Sequence, residues 1–207
     1  LGAWLQGQGL APGARVAIML PNIPQFAVTM AAVLRAGYIC VNVNPLYTGR
    51  ELEHQLKDSG SSAIVILENF AHTLAEVIEH TGVQRVVMAS MGDLLGFWYG
   101  RWITFAVRHL AKMVPAYDLP LSAGRTLVTF RQALSDGARR TLTASSATLD
   151  DTAFLQYTGG TTGLSKGAVL THRNIVAATL QAEAWFTPAL AKMGDVTKAN
   201  SIAALPL

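Results

Sequence analysis

The stretch RVAIMLPNIPQFAVTMAAVLRAGYICVNVNPLYTGRELEHQLKDSGSSAIVIL, Arg15 to Leu67, sets three short apolar runs around two segments of helical spacing. Arg15 to Leu20 reads as a strand that ends at Pro21-Asn22. Pro24 to Ala36 then has helical periodicity, with proline tolerated in the first turn and Gly37 as the stop. Tyr38 to Val43 is a second strand, closed by Asn44-Pro45. Thr48-Gly49-Arg50-Glu51 fits a capping box, in which hydroxyl and carboxylate satisfy each other's backbone donors. The helix it opens runs to Ser59-Gly60, and Ala63 to Leu67 is a third strand. Such runs are too continuously apolar for a strand with one wet face.

The alternation continues outward. Ala71 to His80 has helical spacing and Arg85 to Met88 strand character. Strand–helix alternation predicts an α/β fold, a parallel sheet with helices on both faces. Ligands of such sheets sit beyond the carboxyl ends of the strands, where Pro21-Asn22 and Asn42 to Tyr47 fall. From Met91 to Ala147 the pattern loosens. Within it, Arg101 to Val114 can form an amphipathic helix. Arg101, Arg108 and Lys112 share one face; Trp102, Ala106, Val107, Leu110, Met113 and Val114 share the other. That helix either docks on its own domain or lies in a bilayer interface. It is too short and too charged to span one.

Composition narrows the classes. The 207 residues are 51% apolar and 14% charged, which excludes a disordered chain. A net charge of +3 suits anionic small molecules or an acidic membrane surface and is too weak for a nucleic-acid binder. Cys40 stands alone in an apolar run, so no disulfide framework exists and a reducing, cytosolic setting is expected. Leu1 in place of an initiator methionine, and the closing apolar run to Leu207, lead us to expect a fragment of a longer chain.

The chemistry concentrates in YTGGTTGLSKGAVLTHRN, Tyr157 to Asn174. Ala153 to Tyr157 is strand-like, Thr158 to Lys166 is a loop, Gly167 to Leu170 is a strand again, and Thr171 caps a helix through Phe186. The apolar side of that helix is Ile175, Ala178, Ala182 and Trp185. Gly159, Gly160 and Gly163 let backbone amides approach an oxyanion, Thr158, Thr161 and Thr162 add hydroxyls, and Lys166 adds a point charge. Four or five hydrogen bonds to a charged group, about 1.5–3 kcal/mol each, would hold a polyphosphate against its desolvation. A Walker-type loop is excluded, because Gly167 stands where that loop needs a metal-binding hydroxyl and the chain re-enters a strand instead of a helix. Other polar residues carry less. His172 at a helix start is a surface or phosphate-adjacent group, and His54, His72, His80 and His109 lack metal-ligand spacing. Asp150 and Asp151 are adjacent and point apart. Tyr157 could merely finish a buried strand.

The motif resembles that of the AMP-forming acyl-adenylate superfamily. The resemblance lies in Tyr157 to Gly163, Lys166-Gly167 and Thr171 to Asn174, with Ser165 standing where many relatives have proline or alanine. Val41 to Leu74 is similar to the bacterial long-chain fatty-acid–CoA ligase branch. The resemblance implies part of a large N-terminal AMP-binding domain. It would divide into residues 1–90 as a βα-repeat subdomain, 91–147 as an aromatic-basic insert and linker, and 148–207 as the phosphate-loop segment, without the C-terminal domain.

The implied activity is ATP-dependent conversion of a fatty acid to acyl-adenylate and then acyl-CoA, with coenzyme A as co-substrate and magnesium sharing the phosphate charge. Tyr157, Thr158, Gly159, Gly160, Thr161, Thr162, Gly163, Leu164, Ser165, Lys166, Gly167 and Ala168 would hold the ATP phosphates. The adenylation lysine, ribose-binding aspartate and metal-binding glutamate of relatives would follow Leu207, so the fragment alone is expected to be inactive. A cytoplasmic protein is implied, touching the inner face of the membrane through Arg101 to Val114; a homodimer stays open. Two alternatives stay open as well: another adenylate-forming ligase, for aryl or short acids or in peptide synthesis, and a non-enzymatic membrane-associated nucleotide-binding module.

Overall fold

Alternate residues of the central strands supply opposite cores, so one sheet carries helices on both faces. The computed structural model describes residues 1–120, 122, 124–158 and 165–192. Its strands are β1 (Arg15–Met19), β2 (Ile39–Asn42), β3 (Ser61–Leu67), β4 (Arg85–Ala89), β5 (Thr126–Thr129), β6 (Thr152–Thr158) and β7 (Lys166–Thr171), in the order β5-β4-β3-β1-β2-β6-β7. The helices are α1 (Gly2–Gln6), α2 (Pro24–Arg35), α3 (Gly49–Ser59), α4 (Ala71–Val77), α5 (Phe97–Phe105), α6 (Phe130–Ala138) and α7 (His172–Lys192). Val16, Ile18, Cys40, Val65 and Val87 face Trp4 and Leu5 of α1, Phe26 and Val33 of α2, and Phe130 of α6. Ala17, Met19, Ile64, Ile66 and Val86 face Leu52 and Leu56 of α3 and Leu74 of α4. A side-chain period of two on a sheet covered on both sides is the reason the apolar runs read as continuous.

The parallel α/β expectation holds for β1 to β6, and each expected strand or helix before Met91 appears within about two residues. Burial leaves the Cys40 thiol with no exposed surface and pushes its pKa up, so it is a packing residue. The final pair, β6 with β7, is antiparallel. A parallel return needs a crossover of a dozen or more residues, which the seven between Thr158 and Lys166 cannot provide.

Two features depart from expectation. First, the loose stretch after Met91 contains β5, which pairs in parallel with β4, and α6. Thr129 caps α6 by accepting from the Gln132 amide at 3.1 Å, and Phe130 is fully buried. Second, the apolar side expected for α7 is largely uncovered. Of its four residues, Ile175 packs on the core, while Ala178 and Ala182 are exposed and Trp185 is 82% exposed. The helix follows β7, which among the described residues is the edge strand of the sheet, so there is little sheet beneath it.

The aromatic-basic helix also differs. It starts at Phe97, earlier than expected, and passes into one π turn over Ala106–Leu110. Arg108 does not share an open face with Arg101. It turns onto Glu68, whose side chain is buried, and its Nε donates to Glu68 Oε2 at 2.6 Å. A buried carboxylate requires a counter-charge, and that need outweighs the amphipathic sidedness of the isolated segment. Trp102, Leu110 and Met113, of the face read as apolar, are more than half exposed, so that face is not docked at these positions.

Candidate functional site

The site is built on the β6–β7 hairpin at the sheet's edge. Thr158 pairs with Lys166 and Tyr157 with Gly167, so both ends of the glycine-rich loop stand side by side. Since β6 runs parallel to β2, the loop leaves from the end of the sheet where β1 and β2 finish. Thr158 and Lys166 are exposed and Ser165 is half-buried. Ala168 is exposed on β7. The remaining expected phosphate ligands, Gly159, Gly160, Thr161, Thr162, Gly163 and Leu164, lie outside the described residues. Pro21, Asn44, Tyr47, Gln156 and Tyr157 line a cavity of about 420 Å³ beside the stem. The strand ends named from the sequence therefore do meet there.

Tyr157 does more than complete a strand. Its ring lies over Gly167, where an added Cβ would come within 3.0 Å of Cε2 and Cζ. Its hydroxyl donates to Asp58 Oδ2 on α3 at 2.5 Å. Burial, followed by the Asp58 hydrogen bond and charge, pushes the phenol well above the ordinary tyrosine range, so it remains a proton donor. Gly167 thus supplies space for an aromatic ring as well as backbone freedom. We expect Gly167→Ala to force the ring or the strand aside and cost roughly 1–3 kcal/mol, as overpacked sites do. Thermal denaturation of the variant checks this, and an unchanged midpoint would contradict it.

His54 belongs to the same arrangement. One turn of α3 before Asp58, its Nε2 lies 3.2 Å from the Ser165 carbonyl oxygen. A carbonyl only accepts, so that nitrogen carries the proton. Sequence reasoning considered His54 only as a metal ligand and did not consider Asp58. The signal available was a polar pair four residues apart on a capped helix, but nothing local names its partner.

The other candidates separate. His172 follows the far end of the hairpin, where Thr152 pairs with Thr171, about five residues of extended chain or roughly 17 Å from Lys166. His172 therefore stands apart from the Thr158–Lys166 end of the hairpin. Thr171 and Asn174 form a reciprocal cap at the start of α7: the Thr171 amide and hydroxyl each donate to Asn174 Oδ1 at 2.9 Å. Arg173 holds Asp150 through two contacts of 2.8 and 3.0 Å. Asp151 Oδ2 accepts from the Thr148 amide and hydroxyl, which hold its carboxyl below the usual range. The Thr-His-Arg-Asn end of the motif is therefore a helix cap and an ion pair. Among the described residues no group of His, Cys, Asp or Glu could hold a metal ion. They do not by themselves make a magnesium site.

Fold and hairpin together define a nearly all-parallel α/β domain with an antiparallel edge hairpin, and the family model for AMP-binding enzymes matches residues 1–207; the chain belongs to that family. Among individual proteins, it is 51% identical over 185 residues to a long-chain-fatty-acid–CoA ligase of Salmonella typhimurium, covering 89% of this chain and 32% of that protein. It is 47% identical over 207 residues to one of Haemophilus influenzae, covering 99% and 35%. The chain thus spans about a third of the length of these relatives. The crystal structure of a long-chain-fatty-acid-CoA ligase from Archaeoglobus fulgidus matches with a TM-score of 0.62 at 25% identity, over 88% of this chain and 30% of that one.

Proposed function

We propose that the protein carrying this chain activates a long-chain fatty acid with ATP and transfers the acyl group to coenzyme A. One observation carries the reading: an antiparallel stem sets Thr158 and Lys166 opposite each other at the carboxyl end of the sheet. In the proposed reaction the fatty carboxylate attacks the α-phosphorus of ATP and pyrophosphate leaves. The stem residues stabilise charge on the leaving group. Lys166 acts as a fixed positive charge, and neither it nor Thr158 is asked to move a proton. Identities of 47–51% to long-chain ligases favour long acids over aryl or short ones. Assay of the full-length gene product with ATP, coenzyme A and a panel of acids tests this. We expect palmitoyl-CoA to form in preference to benzoyl- or acetyl-CoA, and the reverse order would overturn the long-chain reading.

A specific surface favours contact with the inner face of the membrane as part of the same reading. Trp98, Tyr99 and Trp102 are 81%, 62% and 57% exposed, with Arg101 and Lys112 exposed beside them. Tryptophan and tyrosine partition to the headgroup region, and basic side chains add attraction to anionic lipid. Among the described residues no helix is long and apolar enough to cross a membrane. We expect flotation with vesicles containing anionic phospholipid, and its loss in Trp98→Ala/Trp102→Ala and in Arg101→Glu/Lys112→Glu. Flotation that ignores both changes would remove this surface from the proposal.

A further inference from the structure

We infer that α3 is the platform that holds the Thr158–Lys166 stem of the phosphate-binding hairpin. Asp58, through Tyr157, and His54, through Ser165, are its positioning residues. The inference rests on the reading of the stem as a phosphate site and adds the residues that orient it.

The two tethers take hold of opposite strands of the hairpin. Asp58 accepts from Tyr157 on β6 at 2.5 Å, and His54 Nε2 donates to the carbonyl of Ser165, immediately before β7, at 3.2 Å. Positions four apart lie one above the other on a helix, so a single face of α3 meets both ends of the loop. The hairpin needs such a hold. Among the described residues β7 pairs with β6 alone and is largely exposed, and beyond Gln156, where the pairing with β2 stops, the two strands run on as a ribbon free to twist.

The platform itself is immobilised from below. Leu52 and Leu56 are fully buried, and Gln55, also fully buried, donates to the Asn42 carbonyl of β2 at 2.7 Å. Both ends of α3 are fixed, by the Thr48–Glu51 capping box and by Gly60 in the left-handed conformation. A second strand contact converges on the stem, where Asn42 Nδ2 donates to Gln156 Oε1 at 2.9 Å. Gly167 completes the device: with no Cβ it lets the Tyr157 ring lie across the hairpin and reach Asp58.

The Asp58 and His54 side chains serve the site through Tyr157 and Ser165. They act by holding Thr158 and Lys166 in register with a rigid element, so their loss should weaken ATP handling without touching the fatty acid. The test pairs kinetics with hydrogen–deuterium exchange on the full-length gene product. In Tyr157→Phe and in His54→Ala, we expect faster amide exchange in the 157–167 stem. The KM for ATP should rise about tenfold, the loss of one hydrogen bond to a charged or oriented group. The KM for palmitate should stay within about twofold, whereas lost fold would lower the active fraction, and so kcat, and leave both KM values where they were.

Asp58→Ala should match Tyr157→Phe, the double variant should be no worse than either, and Asp58→Asn and His54→Gln, which keep an acceptor and a donor, should recover most of the loss. Unchanged stem exchange in Tyr157→Phe and His54→Ala overturns the clamp. Faster exchange with unaltered KM for ATP overturns its positioning role. A wild-type protein that forms no acyl-adenylate sinks the functional reading instead, and the exchange data then decide the clamp by themselves.

Discussion

We expect Lys166→Ala to lower palmitate-dependent ATP–pyrophosphate exchange by roughly a hundred- to a thousandfold in the full-length gene product, the loss that follows when one preorganised donor is removed from developing charge. The melting temperature should hardly move. Lys166 is exposed at the first position of β7, and among the described residues no ion pair engages its ammonium. Substitutions at such surface positions normally change stability by less than about 0.5 kcal/mol. Lys166→Arg should recover only part of the rate. It restores the charge, but a planar fork replaces a compact ammonium that can turn toward whichever oxygen carries the charge. Exchange kinetics unaltered in Lys166→Ala would show that the stem does not serve the departing phosphates.

Arg108→Met should produce the largest loss of stability. Glu68 is 1% exposed, its Oε2 takes the Arg108 guanidinium, and its Oε1 has no hydrogen-bond partner among the described residues. Removing the cation leaves a carboxylate that cannot reach water. Breaking a fully buried pair costs about 3–5 kcal/mol, and because Arg108 is itself half-exposed we expect roughly 2–4. For a domain of this size that lowers the melting midpoint by about 5–15 °C. The hydrogen bond and charge of Glu68, opposed by burial, hold the Arg108 guanidinium above its ordinary range, so the guanidinium stays charged throughout the physiological window. Glu68→Met/Arg108→Met should regain most of the loss, since it removes both the orphaned charge and the unpartnered oxygen. A single variant as stable as the parent would mean that solvent already reaches Glu68.

These two residues show different routes from sequence to site. Lys166 was legible because the motif around it is contiguous: glycines, threonines and lysine lie within ten positions, and strand patterns on either side place them at a turn. Glu68–Arg108 was not. The periodicity of Arg101 to Val114 grouped Arg108 with Arg101 and Lys112, and only the approach of a residue 40 positions away turned it inward. The strand Thr126–Thr129 was missed for a related reason. Four residues with half-buried and exposed sides carry little pattern, and β4 supplies the partner that makes them a strand.

Short-range regularities therefore settled the fold class by themselves. Continuous apolar runs required two covered faces, Thr48 with Glu51 and Gly60 fixed the ends of α3, and Thr171 opened α7. Each follows from the conformations available to a few neighbouring residues. The tertiary structure alone decided the hairpin's place beside β2, the distance of His172 from the Thr158–Lys166 pair, and the hold of α3 on both strands. Asp58 and Tyr157 are 99 positions apart and His54 and Ser165 are 111. Contacts of that separation leave no trace in local spacing, because packing around the whole core, and not the chain between them, brings them together.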